Sequence, residues 1–425
     1  MRILLLSLYY PPLNTIAAQR IGAFEKYLRS EGFEVDVITR YYDIHQQKGE
    51  SMFLGFEQPV DFNEGYIRQE NVVYSNFKGD NEKLLFSQKL PPIIRGFYNY
   101  SHIDVFHYGW LEYMMNAYEK EFSKNKYDFI ISSYGPPVML LAAKMLSERS
   151  KTPYLIDFRD SYIDERDKGL HLFFKKQIQK KILTNASGMI FSTEGMKDYF
   201  FKKWNTTFKE KSYCVVYNGV DSEVNADEKM VDKDIVEKFM SIKKGNMLVL
   251  LHTGTVYNGQ NIQFFLNGIK QFNNISEKKI VLVFLGLAKN NSFVSIDLPN
   301  VIYLPKVNLP SALRLQELAD ALVLPVWDGR YTGFSGKTIE YLASGNIVLC
   351  SPNPQNDLLG FFKKSSNVYV LDNFNMFENI CTDIANGSIC RKFVNDNSIF
   401  TRKYWVKELA VFMKELKRKI EALNL

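Results

Sequence analysis

A lysine and a glutamate three residues apart, Lys337 and Glu340, carry the most telling chemistry in this chain. They stand in Thr332-Gly333-Phe334-Ser335-Gly336-Lys337-Thr338-Ile339-Glu340-Tyr341-Leu342-Ala343-Ser344-Gly345. The apolar run Ala321-Leu322-Val323-Leu324-Pro325-Val326 precedes this segment, and Ile347-Val348-Leu349-Cys350 follows it. The pattern predicts strand, glycine-rich turn, helix, short turn, strand. Free backbone N–H groups and the positive end of the helix dipole gather where such a helix begins. Lys337 adds a full charge there, and Glu340 lies one turn on, on about the same face. This pairing suits a sugar nucleotide, with phosphates on the amides of Ser335, Gly336 and Thr338 and on Lys337, and ribose hydroxyls on Glu340. The plain alternative is a solvated helix start with a surface ion pair.

A second glycine turn, His252-Thr253-Gly254-Thr255, ends the apolar run Met247–Leu251. Glycine allows a backbone to approach a phosphate closely. Asn218 lies in the turn-like Tyr217-Asn218-Gly219-Val220-Asp221, and Arg20 sits on the first expected helix, from which it could reach a cleft. Arg159 and Asp160 end the run Tyr154–Phe158, where they could pair with each other or face a ligand. The five histidines show no metal-ligand spacing, although His252 closes a strand. No D-x-D flanked by strands occurs, so no metal and no cofactor is expected. Cys214, Cys350, Cys381 and Cys390 are scattered without a CxxC pair, which fits a reducing compartment.

The elements that must hold these residues alternate. Strands are predicted at Ile3–Leu8, Val35–Thr39, Phe129–Ser133, Tyr154–Phe158, Met189–Thr193 and Ser212–Tyr217, with helices over Ala17–Ser30 and Val138–Ser150. Residues 43–121 break the rhythm with many aromatics and read as loops and helices. The alternation restarts at Met247 and runs to Leu371, including helices at Asn261–Gln271 and Leu309–Leu318. The expected fold is α/β, with two Rossmann-like, doubly wound domains facing across a cleft. The expected boundaries are 1–222 for the first domain, 223–245 for a polar linker and 246–404 for the second. The helix at about 405–425 has one apolar stripe, Val406, Leu409, Ala410, Met413, Leu416, Ile420 and Leu423, which would bury itself by packing back on the first domain.

With 425 residues, 46% hydrophobic and 24% charged content, the chain can bury sizeable cores without staples. The opening Arg2–Leu8 reads as a buried strand, since it is short for a signal-peptide core and Tyr9-Tyr10-Pro11-Pro12 follows. No run approaches the roughly 18 apolar residues of a membrane span. Net charge is +6, with lysine clusters at 175–181 and 202–211 and a basic C-terminus. Solvated helix faces or contact with an anionic membrane surface would explain these clusters. Nucleic acid is not expected, because no recognition motif accompanies the charge. A cytoplasmic location, peripheral on the inner face of a membrane if the basic clusters bind lipid, follows as the expectation.

The order of these signals resembles the retaining glycosyltransferases of family 4, which have the GT-B fold. Four segments carry the resemblance. Tyr9-Tyr10-Pro11-Pro12 followed by Gly32-Phe33-Glu34-Val35-Asp36-Val37-Ile38-Thr39 is similar to the family's opening strand, acceptor loop and "G-H-E-V-x-V-x-T" strand. Tyr217–Asp221 is similar to "P-N-G-V-D", and Gly254 stands at the family's glycine turn. The segment around Lys337 resembles "E-G-F-G-x4-E-A-x-A-x-G-x-P-V". The resemblance implies a metal-independent transfer of a sugar from a nucleotide-sugar to a hydroxyl acceptor, a glycan or lipid-linked glycan of a bacterial surface polysaccharide. It implies donor contacts by Gly254, Thr255, Ser335, Gly336, Lys337, Thr338, Glu340 and Asn218. It implies an acceptor side built from Pro12, Asn14, Arg20 and Arg159, with Asp160 and Lys337 nearest the chemistry. Two departures stand out: Thr332 occupies the first position of the family's E-x7-E motif, and Thr255 and Gln260 lie where arginine and lysine often hold the diphosphate. A non-hydrolysing sugar-nucleotide epimerase and a catalytically degenerate partner subunit are the alternatives on the same scaffold.

Overall fold

The structure is a computed structural model. It describes residues 1–13, 15–42, 65–77, 81–165, 167–204, 207–221, 230–244, 247–288, 294, 300–327, 334–354, 356–363, 365–391 and 398–423. The chain forms two compact units, Met1–Tyr217 with Arg402–Leu425, and Asn218–Thr401.

In the first unit, eight strands form one sheet. They are β1 Arg2–Ser7, β2 Glu34–Arg40, β3 Tyr66–Gln69, β4 Val72–Ser75, β5 Phe129–Ser133, β6 Tyr154–Phe158, β7 Gly188–Phe191 and β8 Ser212–Val215. Their order is β3-β4-β2-β1-β5-β6-β7-β8. Every pairing is parallel except the edge pair of β3 and β4. The apolar run Ile3–Leu6 is wholly buried because helices cover both faces of a parallel sheet. β3 and β4 fall in the aromatic stretch read as loops and helices. Only four residues long each, and joined by the turn at Glu70, they carry too little alternation to register as strands. The aromatic Trp110 proves to be core, with its indole N–H donating to Ser75 Oγ at 2.7 Å.

The second unit repeats the scheme with β9 Met247–Thr253, β10 Lys279–Leu285, β11 Val301–Leu304, β12 Ala321–Leu324, β13 Val348–Cys350 and β14 Val368–Val370. The order β11-β10-β9-β12-β13-β14 is all parallel. It is the doubly wound order in which the winding reverses between the first and fourth strands, here β9 and β12. The stretch read as a linker, 223–245, contains the helix Lys233–Ile242. Its polar composition hides two anchors one turn apart, Ile235 and Phe239, both buried. Asp232 caps it by accepting from the backbone N–H groups of Asp234 and Ile235 at 3.0 and 3.3 Å.

The chain returns to the first unit for its last helix, Arg402–Leu423. Val406, Leu409, Ala410, Met413 and Leu416 join a core cluster with Ile21, Phe24 and Leu28 of the helix Ile16–Ser30. Lys417 Nζ bonds Asp128 Oδ1 at 2.6 Å beside this seam. Among the described residues no helix is long and apolar enough to cross a membrane. Leu409 is fully buried, so Leu409→Ala is expected to lower stability by about 2–5 kcal/mol. Val411→Ala, at a site 44% exposed on the same helix, should change it by less than about 0.5 kcal/mol. Urea denaturation followed by tryptophan fluorescence compares the two.

Candidate functional site

The carboxyl end of β9 and the start of the helix Gly336–Ala343, which follows β12, meet where the second sheet reverses its winding. Ligands bind at that position in open α/β sheets, because the two flanking connections leave in opposite directions. Backbone after β9 turns at Gly254, whose φ of +76° is natural only for glycine. A Cβ built on Gly254 would lie 3.5 Å from Lys337 Cε and 3.7 Å from Nζ. The lysine therefore lies directly against the glycine turn, although 83 positions separate them in the sequence.

Lys337 Nζ donates to the Thr255 carbonyl at 2.5 Å and lies 3.2 Å from His252 Nε2. His252 is fully buried, and its Nδ1 lies 3.0 Å from the Val323 carbonyl. A carbonyl only accepts, so Nδ1 carries the hydrogen and Nε2 is left as the acceptor that faces the ammonium. Burial first, then the Lys337 charge, pushes the His252 imidazole down to about 3, so it stays neutral. Burial also pulls the Lys337 ammonium down to about 8, and the nearby Glu340 carboxylate works in the opposite direction. An ammonium has three N–H donors. Two are directed at His252 and Thr255, which leaves a third donor.

At the helix start, Ser335 at the N-cap makes no side-chain cap bond. Ser335, Gly336, Lys337 and Glu340 are half-buried, while Thr338 is buried. The opposite face of the helix is locked. Tyr341 is fully buried, and its hydroxyl takes the Thr253 N–H at 2.8 Å and lies 3.1 Å from Thr253 Oγ1. That contact fixes the helix to the end of β9, next to the glycine turn. Sequence reasoning missed an aromatic pair at the rim. Tyr257 and Trp327 stack with ring centres 6.1 Å apart, and Lys337 Nζ lies 5.9 Å from the Tyr257 ring centre. Gln260 ties this rim by accepting from the Tyr257 N–H at 2.9 Å, and Trp327 Nε1 donates to the Asn258 carbonyl at 3.1 Å. No local pattern in the sequence links positions 257 and 327.

The structure thus brings Gly254, Thr255, Ser335, Gly336, Lys337, Thr338 and Glu340 to one edge of the second unit. Asn218 is half-buried at the point where the chain enters that unit. Asn14, like Thr332 and Gly333, lies outside the described residues.

The acceptor-side residues belong to the first unit. Pro12 sits in a turn closed by the Leu13 N–H on the Tyr10 carbonyl at 3.2 Å, and the Tyr74 hydroxyl donates to the Pro11 carbonyl at 3.1 Å. Arg20, placed on the acceptor side by the sequence reading, is only 3% exposed. Its Nε and Nη2 fork onto Asp157 at 2.7–3.2 Å, and Nη1 donates to the Val216 carbonyl at 2.7 Å. Ser133 Oγ completes the Asp157 shell at 2.9 Å. Four distant segments are joined by this buried pair, and the guanidinium points into the fold. Arg159 lies instead among the loops after β1, β5 and β6. Its guanidinium is 5.3 Å from the Tyr9 ring centre, and Nε is 3.2 Å from Asp160 Oδ2. It packs so closely on Gly135 (φ +110°) that a Cβ there would fall 2.3 Å from Nη2. Asp160 is 63% exposed, so its carboxylate reaches solvent while paired. Among the described residues no group of three or more His, Cys, Asp or Glu side chains could hold a metal ion.

No protein-family model matches the chain, and no curated protein sequence matches it. Solved structures do. The sucrose-phosphate synthase of Thermosynechococcus elongatus aligns over 100% of both chains with a TM-score of 0.61 at 14% identity. A glycosyltransferase from Rickettsia africae aligns over 98% of each with a TM-score of 0.60 at 12% identity. HepE of Anabaena, solved with UDP-glucose, aligns over 99% of this chain and 100% of its own, with a TM-score of 0.54 at 12% identity. The fold is that of the GT-B glycosyltransferases. At these identities the likeness establishes architecture, and residue roles rest on the geometry above.

Arg20→Met would leave the Asp157 carboxylate buried without its guanidinium. Removing one partner of a buried ion pair costs about 3–5 kcal/mol, so a large drop in the melting temperature of the first unit is expected. An unchanged melting temperature by calorimetry would refute this structural role.

Proposed function

We propose that this chain is a glycosyltransferase that moves a sugar from a nucleotide-sugar donor to a hydroxyl acceptor with retention. The observation that carries the reading is the Lys337 ammonium, held against Gly254 at the winding reversal, beside a helix start without a side-chain cap. The donor diphosphate would take the third N–H of Lys337 and the amides of Ser335 and Gly336, with Thr338, whose own N–H donates to the Ser335 carbonyl at 3.0 Å, behind them. Glu340 would accept from the ribose hydroxyls, and Thr255 and Asn218 would border the nucleotide. The stacked Tyr257 and Trp327 offer a flat apolar rim.

In the transfer, the bond between the sugar and the diphosphate breaks and one to the acceptor oxygen forms. The acceptor proton leaves with the departing diphosphate. Negative charge grows on the leaving group, so a fixed ammonium and aligned amides stabilise that charge more in the transition state than in the ground state. The reading assigns this task to protein groups and to no metal or cofactor. Neutral His252 fits it, because a second cation under Lys337 would repel the ammonium, whereas Nε2 accepts from it.

Several finer parts of the reading rest on the sequence resemblance. These are membership of family 4, an acceptor that is a glycan or lipid-linked glycan in bacterial surface-polysaccharide synthesis, and Asp160 and Arg159 beside the acceptor. A cytoplasmic location peripheral to the membrane belongs with them. The solved neighbours include complexes with UDP-glucose and with UDP, which supports a nucleotide-sugar donor.

The test is a panel of nucleotide-sugars screened by thermal shift and then by product analysis with an acceptor mixture. Lys337→Ala should lower kcat by about 10²–10³, the usual effect of removing one donor to developing charge. Glu340→Ala should act mainly on KM, by about 10-fold or more, as expected for a hydrogen bond to a charged group. Full turnover in both variants would remove the site. Interconversion of sugar-nucleotides without acceptor would indicate an epimerase, and binding without turnover on any acceptor a degenerate transferase.

Protonation of Lys337 gives a separate check. Below about pH 8 the ammonium is charged, and above it the charge is lost. The donor kcat/KM should therefore fall as pH rises through about 8, and Lys337→Arg should abolish that limb within the accessible range, since a guanidinium stays protonated. His252, neutral across this span, should add no limb of its own.

A further inference from the structure

We propose that three adjoining helices of the first unit, Asn81–Lys89, Pro92–His102 and Gly169–Leu183, form a docking face for an anionic lipid bilayer. Large apolar side chains point outward from all three. Leu85 and Phe86 on the first, Ile93, Ile94 and Phe97 on the second, and Leu170 and Phe173 on the third are each more than half exposed. Ring contacts make the patch continuous. Phe86 packs on Tyr98 at 5.7 Å, and Phe97 packs on Phe174 at 5.0 Å, with Phe173 at 5.7 Å from Phe174. Single exposed apolar residues need no explanation, but a continuous patch of this kind on a soluble unit marks an interaction surface.

Charge selects the occupant. The three helices carry one carboxylate, Glu82, against exposed Lys83, Lys89, Lys180 and Lys181. On the third helix Leu170, Phe173, Gln177, Lys180 and Lys181 fall at i, i+3, i+7, i+10 and i+11, which is one face. The stripe therefore passes from apolar to basic over about 10–15 Å of helix, at 1.5 Å per residue. Two other lysines of this helix are engaged inside the fold, Lys175 with Asp167 and Lys176 with the Lys203 carbonyl. Among the described residues, exposed Lys180 and Lys181 make no such side-chain contact. An apolar area flanked by lysines matches a bilayer whose surface is negative and whose interior is hydrocarbon. A second copy set face to face would oppose lysine with lysine, so self-association is disfavoured.

The proposal is independent of the donor reading, and one set of samples separates them. The full chain is sedimented with vesicles of phosphatidylcholine mixed with phosphatidylserine, and with phosphatidylcholine alone. Strong partitioning onto the mixed vesicles and weak partitioning onto the neutral ones is expected. Lys180→Gln with Lys181→Gln should weaken partitioning about 30-fold, the effect of two basic contacts at about 1 kcal/mol each. Ile94→Ser with Phe97→Ser should weaken it about tenfold or more with only a small change in melting temperature, because both side chains are more than half exposed. Failure of the parent chain to partition, or partitioning that both double variants retain, overturns the proposal. So does a lipid-free dimer that Ile94→Ser with Phe97→Ser dissolves. The nucleotide-sugar thermal shift measured on the same preparations reports the donor site alone.

Discussion

An ammonium kept charged in a half-buried place is the constraint on which the second unit's candidate site depends. Burial alone favours the neutral amine, the Glu340 carboxylate works in the opposite direction, and the Thr255 carbonyl and His252 Nε2 accept from the ammonium. Each acceptor is fixed in turn. Thr255 follows a glycine turn whose left-handed backbone is set by Gly254, and His252 is oriented by the Val323 carbonyl of the neighbouring strand. Tyr341 then clamps the lysine's helix to the end of β9. The geometry presents a cation and a row of amides without either group being free to turn away, which is what stabilising a developing negative charge requires.

The first unit uses its charge differently. Arg20 and Asp157 are both buried and satisfied by each other, by Ser133 and by Val216. Such a pair is specific in geometry even where its net contribution to stability is small, because each ion loses its water on burial. Arg159, two residues beyond Asp157, has a side chain 15% exposed and pairs with Asp160, whose carboxylate is 63% exposed. Arginine thus pairs with a buried carboxylate at position 20 and with a solvated one at position 159. Gly135, against which the Arg159 guanidinium packs, has a φ of +110° that residues with a side chain rarely adopt.

The aromatic stretch before β5 divides in a similar way. Trp110 and Tyr118 complete the core, while Phe86, Ile94 and Phe97 do not. An apolar side chain left in water adds nothing to stability, since it is exposed before and after folding. Its combination with lysines on neighbouring turns is what the proposed docking face would set against a lipid surface.

By itself the sequence determined the alternation of buried runs and amphipathic helices, and with it two parallel sheets, the helix after β12 and the apolar stripe of the last helix. Those features are local: a period of 3.6, a continuous apolar run or a glycine at a turn is visible within a dozen residues. The segment around Lys337 was legible for the same reason. What only the tertiary structure decided are the partnerships. Lys337 meets His252 across 85 positions, and Arg20 meets Asp157 across 137. The edge strands β3 and β4 and the helix Lys233–Ile242 also needed it, since each is short and takes its stability from the neighbours it packs on. Strand order sets which loops share an edge, and strand order is a property of the folded sheet that no single stretch of residues encodes.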